Sequence, residues 1–196
     1  MDIFRIIEII SVVFGLLYVV LMMRQNIWCW ICGIISSALY ILSCFHAKLY
    51  LEGGLNFYYV IVGFYGWYLW LQKNNTSEQT LRVSEWQAPL HIINILICAG
   101  LTILLGKIMQ LHSDSPRPFF DAAITVFSFG ATILEARKIL SAWIYWFVIN
   151  AASVMLMLDR NMNGYAILSA VTTILCVKGY LDWKKSKQQS ESPAMR

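Results

Sequence analysis

The stretch Leu55–Trp70, LNFYYVIVGFYGWYLW, decides how the chain is read. It is almost wholly apolar yet crowded with rings and glycines, a combination that a helix facing only lipid does not need. On a helix, Tyr59, Gly63, Gly66, Trp67 and Trp70 fall at i, i+4, i+7, i+8 and i+11 and share one face. Small residues there let another backbone approach closely, while the rings offer flat surfaces on which a planar or cationic ligand stacks. The plainer alternative is an aromatic belt at the membrane interface with a tight helix contact. It suits Trp70, three residues from Lys73, better than Tyr59, which lies ~16 Å deeper at the helical rise.

The rest of the chain is equally apolar. Of 196 residues, 59% are hydrophobic and 13% charged, with a mean hydropathy of +0.61; that is the composition of a membrane protein. Seven segments, near 3–23, 27–46, 51–72, 90–110, 119–136, 140–158 and 162–183, are each long enough to cross a hydrocarbon layer of ~30 Å. They consume nearly the whole chain and leave no soluble catalytic domain. The first begins MDIFRIIE, without a basic n-region or a following cleavage site, and is expected to be retained. Cys29 and Cys32 spell C-x-x-C with no second pair to complete a zinc set, so the five cysteines read as small apolar fillers. No Ser/His/Asp set, metal cluster or phosphate loop argues for an enzyme or calls for a cofactor, and His46, His91 and His112 lie near span ends, where they read as solvated.

The net charge of +4 is spread over loops and tail, so it speaks to topology and not to nucleic acid. Arg24, Lys73, Arg82, Arg137, Lys138, Lys178, Lys184, Lys185, Lys187 and Arg196 fall on one side of the seven spans. Arg5, Lys48, Lys107, Arg117 and Arg160 fall on the other. By the positive-inside rule, the C-terminus is expected in the cytoplasm and the N-terminus outside.

An internal repeat orders the spans. Sliding the chain by 113 residues brings Glu8 onto Asp121, Phe14 onto Phe127, Arg24 onto Arg137, Trp30 onto Trp143, Ser37 onto Asn150, Gly66 onto Gly179, Trp67 onto Tyr180 and Trp70 onto Trp183. The repeat covers the first three spans and the last three. The fourth is a connector that restores direction, which gives an all-α membrane protein of seven helices, 3+1+3, with parallel repeats around a central pathway. The expected boundaries are 1–73 for the first repeat, 74–112 for a cytoplasmic loop and the connector, 113–186 for the second repeat and 187–196 for a cytoplasmic tail. Within the first span Arg5 and Glu8 are spaced to pair, and Glu8 and Asp121 read as structural clamps or caps near span starts, with a proton or cation site as the alternative. The polar Lys73–Gln87 segment reads as a linker.

The second informative stretch is WIYWFVIN, Trp143–Asn150, where Trp143, Trp146 and Asn150 sit at i, i+3 and i+7. Asn150 lies ~18 Å beyond Lys138 at helical rise, near the membrane midplane. An amide at that depth needs a partner, either a neighbouring helix or a polar solute that the aligned indoles also face.

These motifs together, Tyr59-x6-Gly66-Trp67-x2-Trp70, the partial repeat Thr172-x6-Gly179-Tyr180-x2-Trp183, and Ala136-Arg137-Lys138 followed by Trp143-x2-Trp146-x3-Asn150, resemble the PnuC family of bacterial vitamin transporters. The resemblance runs from about Glu8 to Trp183, and the 3+1+3 plan is shared with that family's relatives, the SWEET sugar carriers. It implies facilitated uptake of a vitamin precursor, typically nicotinamide riboside, across the bacterial inner membrane, with trapping by intracellular phosphorylation and assembly as a homotrimer. By similarity, solute contacts fall on Asn56, Tyr59, Trp143, Trp146 and Asn150, with Ser37 and Thr172 as repeat partners of Asn150 and Tyr59. Gly63, Gly66, Trp67, Trp70, Gly179, Tyr180 and Trp183 are expected to form a gate or helix packing. Thr172 stands where a Tyr is usual and Asn56 where a longer Gln often appears, so thiamine, and less so riboflavin, remain alternative solutes. A sugar carrier and a non-transporting scaffold or receptor are the other readings; the four prolines lie outside the spans, against the first, and a buried amide and indole face is superfluous to the second.

Overall fold

The computed structural model describes residues 3–46, 50–72, 81–113, 115–159 and 163–191. Seven α-helices run through them: α1 (Ile3–Met23), α2 (Trp28–His46), α3 (Tyr50–Leu71), α4 (Ala88–His112), α5 (Pro118–Ala136), α6 (Ala142–Asp159) and α7 (Asn163–Glu191). Four stretches are long and apolar enough to cross a membrane by length and composition: Ala88–His112, Pro118–Ala136, Ala142–Asp159 and Ala166–Glu191. Side chains such as Leu96, Ile103, Met155 and Ile174 are more than half exposed. An apolar exterior over a partly polar interior is the arrangement a bilayer requires.

The helix ends fall close to the expected spans except at the last. There α7 continues to Glu191, through the 186/187 boundary, because its final segment is rich in helix-forming Lys and Gln and Lys187 pairs with Glu191 at 3.6 Å and with Glu85 at 3.0 Å. The linker also differs from expectation in its 81–87 part, which is strapped to the bundle. The Ser84 N–H donates to the Lys138 carbonyl at 3.0 Å and the Leu140 N–H to the Ser84 carbonyl at 2.8 Å, with Val83 buried beneath. Residues 73–80, the Asn74–Asn75–Thr76 triplet among them, and the side chains of Arg5 and Glu8 lie outside what the structure describes. The repeat partner of Glu8, Asp121 in the first turn of α5, accepts a hydrogen bond from the Ser115 hydroxyl, a placement that the helix dipole favours. His91 is half-buried, not solvated: its ring nitrogens lie 3.3 Å from the Tyr145 and Ser141 hydroxyls and tie α4 to the start of α6.

In each half the middle helix packs on its two neighbours, α2 on α1 and α3, α6 on α5 and α7, while the connector α4 lies along α5. The halves meet where α3 touches α5 and α7 touches α1. That exchange is what a two-fold axis relating parallel repeats produces.

The repeat is exact down to backbone hydrogen bonds. After α1, the Gln25 N–H returns to Met22 and the Asn26 N–H to Leu21; after α5, the Lys138 N–H returns to Glu135 and the Ile139 N–H to Leu134, all at 2.9–3.0 Å. These are paired Schellman ends. The residue in the left-handed conformation is Gln25 in one and Lys138 in the other, with φ of 54° and 53°, where glycine is the usual occupant.

Indole packing repeats as well. The Trp30 ring lies over Gly66 and the Trp143 ring over Gly179, so close that a Cβ on either glycine would stand 2.4 or 2.5 Å from ring carbon. Trp30 meets Trp70 edge-on at 5.6 Å and 89°, and Trp143 meets Trp183 at 5.4 Å and 88°. Such pairs contribute ~0.5–1.5 kcal/mol beyond the area they bury. The buried face of α3 is the one that carries Gly63, Gly66 and Trp70, with Phe57, Ile61, Phe64 and Tyr68 facing out.

Gly66→Ala and Gly179→Ala are each expected to destabilise by ~1–3 kcal/mol through overpacking. Thermal unfolding of purified protein in detergent measures this, with Gly100→Ala, where an added Cβ meets nothing within 4 Å, as a control expected to show no loss.

Candidate functional site

Two cavities open between the halves and share Tyr18 and Trp146 as common wall. The larger, about 210 Å³, is bounded by Gly15 and Tyr18 of α1, Trp30, Gly33, Ser36 and Ser37 of α2, Asn56, Tyr59 and Gly63 of α3, Thr132 of α5 and Trp146 of α6. The smaller, about 130 Å³, is bounded by Tyr18 and Val19, Glu135, Trp143, Trp146, Asn150, Thr172 and Cys176. Together they reach the lower end of the ~300–1,000 Å³ usual for small-ligand sites.

The walls are positioned by helix contacts that leave little play. Ser11 and Ser36 exchange hydroxyl-to-carbonyl hydrogen bonds at 2.9 and 2.8 Å, which pins α1 to α2 beside Gly15. At Gly33 an added Cβ would stand 2.9 Å from the Tyr18 ring, so glycine lets that ring turn into the cavity. Tyr18 then donates its hydroxyl proton to Glu135 Oε2 at 2.7 Å, and the Trp146 indole N–H donates to the same oxygen at 3.1 Å. Glu135 is 3% exposed. A buried carboxyl held by two uncharged donors, with one indole face turned to the cavity, is an arrangement for a flat guest with positive character.

Asn150 faces the same space. Its amide donates to the Trp146 carbonyl at 2.8 Å and reaches Cys176 Sγ at 3.8 Å, and its oxygen accepts from the Thr172 hydroxyl at 3.1 Å. All of the residues expected to contact solute therefore border the two cavities: Ser37, Asn56 and Tyr59 the larger, Trp143, Asn150 and Thr172 the smaller, Trp146 both. Trp143 is also the lid over Gly179, and its buried indole N–H has no acceptor among the described residues.

Of the residues expected as gate or packing, Gly63 borders the larger cavity, and the others gather at one end of the bundle, the end that carries Arg24 and Arg137. Trp70 Nε1 donates to the Ala136 carbonyl at 2.9 Å and Trp183 Nε1 to the Met22 carbonyl at 3.0 Å, each bond crossing from one half to the other. The two rings stand 6.4 Å apart, and Trp67 and Tyr180 pack against the same cluster. Lys138 Nζ lies 4.1 Å over the Trp70 ring and 3.5 Å from Gln25 Oε1. Aromatic rings pack this end.

Several wall residues escaped the sequence reading, Tyr18, Glu135 and Gly33 among them. Tyr18 belongs to a face Ser11, Gly15, Tyr18, Met22, with the same 4-3-4 spacing as Tyr59, Gly63, Gly66, Trp70. Glu135 ends a polar stripe Thr125, Ser128, Thr132, Glu135, all buried. It looked like a span-end charge because Arg137 and Lys138 follow it. Gly33 gave no signal of its own.

The sequence profile described as nicotinamide mononucleotide transporter matches residues 5–185. The nicotinamide riboside transporter PnuC of Escherichia coli is 25% identical over 213 aligned residues, which cover 96% of this chain and 89% of that one. The riboflavin/roseoflavin transporter RibM of Streptomyces davaonensis is 25% identical over 195, with the same coverage. In fold, the chain is similar to the crystal structure of the vitamin B3 transporter PnuC, with a TM-score of 0.76 at 22% identity over 93% of this chain and 82% of that one.

Outside the membrane-spanning segments, burial pushes the Lys138 ammonium down from its ordinary 10.5 to about 8, with a weaker upward pull from the Cys29 thiol. Between those two values the unfolded chain binds the proton that the folded one has released, so stability rises with pH across that window. Thermal unfolding from pH 8 to 10 is expected to show this rise, and Lys138→Met to flatten it.

Proposed function

The chain belongs to the nicotinamide mononucleotide transporter family, and from that premise we propose that it is a multi-pass uniporter for a flat, cationic vitamin precursor, nicotinamide riboside. The observation that carries the reading is the single cavity wall on which the Trp146 indole, the Glu135 carboxyl and the Asn150 and Thr172 pair converge. The indole supplies a stacking face worth ~1–2 kcal/mol to a cationic ring. The amide and hydroxyls of Asn150, Thr172, Ser37 and Asn56 supply donors and acceptors for a carboxamide and a ribose.

The reading extends to the direction of movement. The basic residues place the Arg24/Arg137 end in the cytoplasm, so the tryptophan cluster closes the inner mouth and the solute enters from the other side. Release then requires Trp70 and Trp183 to leave the opposite half. Uptake runs down the concentration gradient, intracellular phosphorylation traps the product, and three subunits, each with its own pathway, make the working unit in the bacterial inner membrane. The likeness to RibM favours riboflavin as the second solute to test, and thiamine shares the flat cationic character.

Uptake of labelled nicotinamide riboside, thiamine and riboflavin into proteoliposomes tests the reading. Nicotinamide riboside flux is expected without an imposed ion gradient, and Trp146→Ala or Asn150→Ala is expected to cut the initial rate about tenfold, the equivalent of one lost contact of ~1.4 kcal/mol. Transport of none of the three discards the proposal, and strict dependence on a proton gradient overturns uniport while keeping the solute.

A further inference from the structure

Glu135 is the one acid among the described residues that borders the pathway. Among the described residues no cation pairs with it. The ion pairs among the described residues are Arg117–Asp159, Lys187–Glu85 and Lys187–Glu191, none of which involves it. Lys138, three residues on, turns instead to Gln25 and the Trp70 ring. Its two partners, Tyr18 and Trp146, both donate to Oε2, so neither asks a proton of the carboxyl, which is free to accept as an anion. A carboxylate at such depth carries a desolvation cost that neutral hydrogen bonds offset only in part. A cation that arrives in the adjoining cavity supplies the missing part.

The repeat sharpens the point. Under the 113-residue offset Glu135 corresponds to Met22, a fully buried apolar residue. The clamp at the basic end is symmetric, but the charge is present in one half only, on the side where Trp146 stacks. We propose that Glu135 is the counter-charge for the positively charged ring of the solute and is the residue that makes the carrier prefer cationic over neutral vitamins. This rests on the cationic solute proposed above and deepens it. Through Trp146 the carboxylate also fixes the stacking face, so ring and charge are recognised at the same place and the solute sits in one orientation.

The test separates charge from positioning. Glu135→Gln keeps an acceptor for Tyr18 and Trp146 and removes only the charge. Binding to the purified full-length protein in nanodiscs is measured by calorimetry for nicotinamide riboside and for its 1,4-dihydro form, which has the same skeleton without the ring charge. The expected result is a wild-type preference for the cation, with Glu135→Gln weakening its binding about tenfold or more and leaving the neutral form within about twofold. Tyr18→Phe, which removes a donor but no charge, is expected to weaken both ligands alike. Equal losses for the two ligands in Glu135→Gln, or none for the cation, overturn the proposal while the transport reading stands. If Glu135→Gln does not fold, the wild-type protein decides: equal affinity for cation and dihydro form overturns the proposal, and a preference for the cation that Tyr18→Phe preserves supports it. Wild-type protein that binds neither compound overturns the solute reading and this inference with it.

Discussion

Two indole N–H groups hold the halves together. Trp70 lies in the last turn of α3 and Trp183 just before Lys184 and Lys185 within α7, and each reaches a carbonyl at the end of the first helix of the other half, Trp70 to Ala136 and Trp183 to Met22. Carbonyls in the last turn of a helix lack intrahelical partners, and in a bilayer an unsatisfied one is costly. The Ala136 carbonyl is completed in this way by the other half, while the Met22 carbonyl takes the Trp183 bond in addition to the Gln25 N–H of its own turn. The left-handed residues that terminate α1 and α5 are Gln25 and Lys138 rather than glycine, at a conformational cost of ~1–2 kcal/mol apiece. Their side chains repay this by meeting across the axis, 3.5 Å apart, in positions separated by the repeat length.

What the repeat keeps and what it breaks divide the molecule by function. Positions that match under the offset, Gly66 with Gly179 and Trp70 with Trp183, build the packed end, and the matched Trp30 and Trp143 join that end to the cavity walls. Positions that fail to match line the cavities: Tyr18 against Ala131, Gly33 against Trp146, Ser37 against Asn150, Tyr59 against Thr172, Met22 against Glu135. Where one half places glycine at 33, the other places an indole at 146, and the space left by the first is walled by the second. A symmetric pathway would present the same chemistry from both sides; here both sides present indole, amide and hydroxyl groups, and the carboxyl of Glu135 comes from α5 alone.

The fold was legible because a bilayer leaves few choices. Apolar runs of fixed length and an odd connector set seven helices and their direction, and the rarity of tryptophan made the repeat visible. The site was legible where its residues stood out from an apolar background, as Trp146 and Asn150 do. Glu135 did not, because a carboxyl two residues from an arginine reads as the end of a span until the turn of the helix is known. The strap at 81–87 and the half-buried His91 were missed for a different reason. Their contacts, to Lys138 and Leu140 for one and to Ser141 and Tyr145 for the other, join segments more than forty residues apart, and no local pattern announces such pairing.

A carrier needs its closed end to open, and the composition of the clamp bears on that. Interhelical hydrogen bonds inside a membrane average only ~0.6 kcal/mol, since the separated helices find other partners, and a lysine over an indole adds ~0.5–2 kcal/mol. Two indole bonds and one cation over Trp70 thus hold the proposed gate by a few kcal/mol, a gap at which the open state remains populated. The glycine sockets work the other way. Trp30 over Gly66 and Trp143 over Gly179 lie within a half, between its second and third helices, and their close fit resists deformation. Rigid halves joined by breakable contacts are built to move as bodies, with Tyr18 and Trp146 on the wall that the two cavities share.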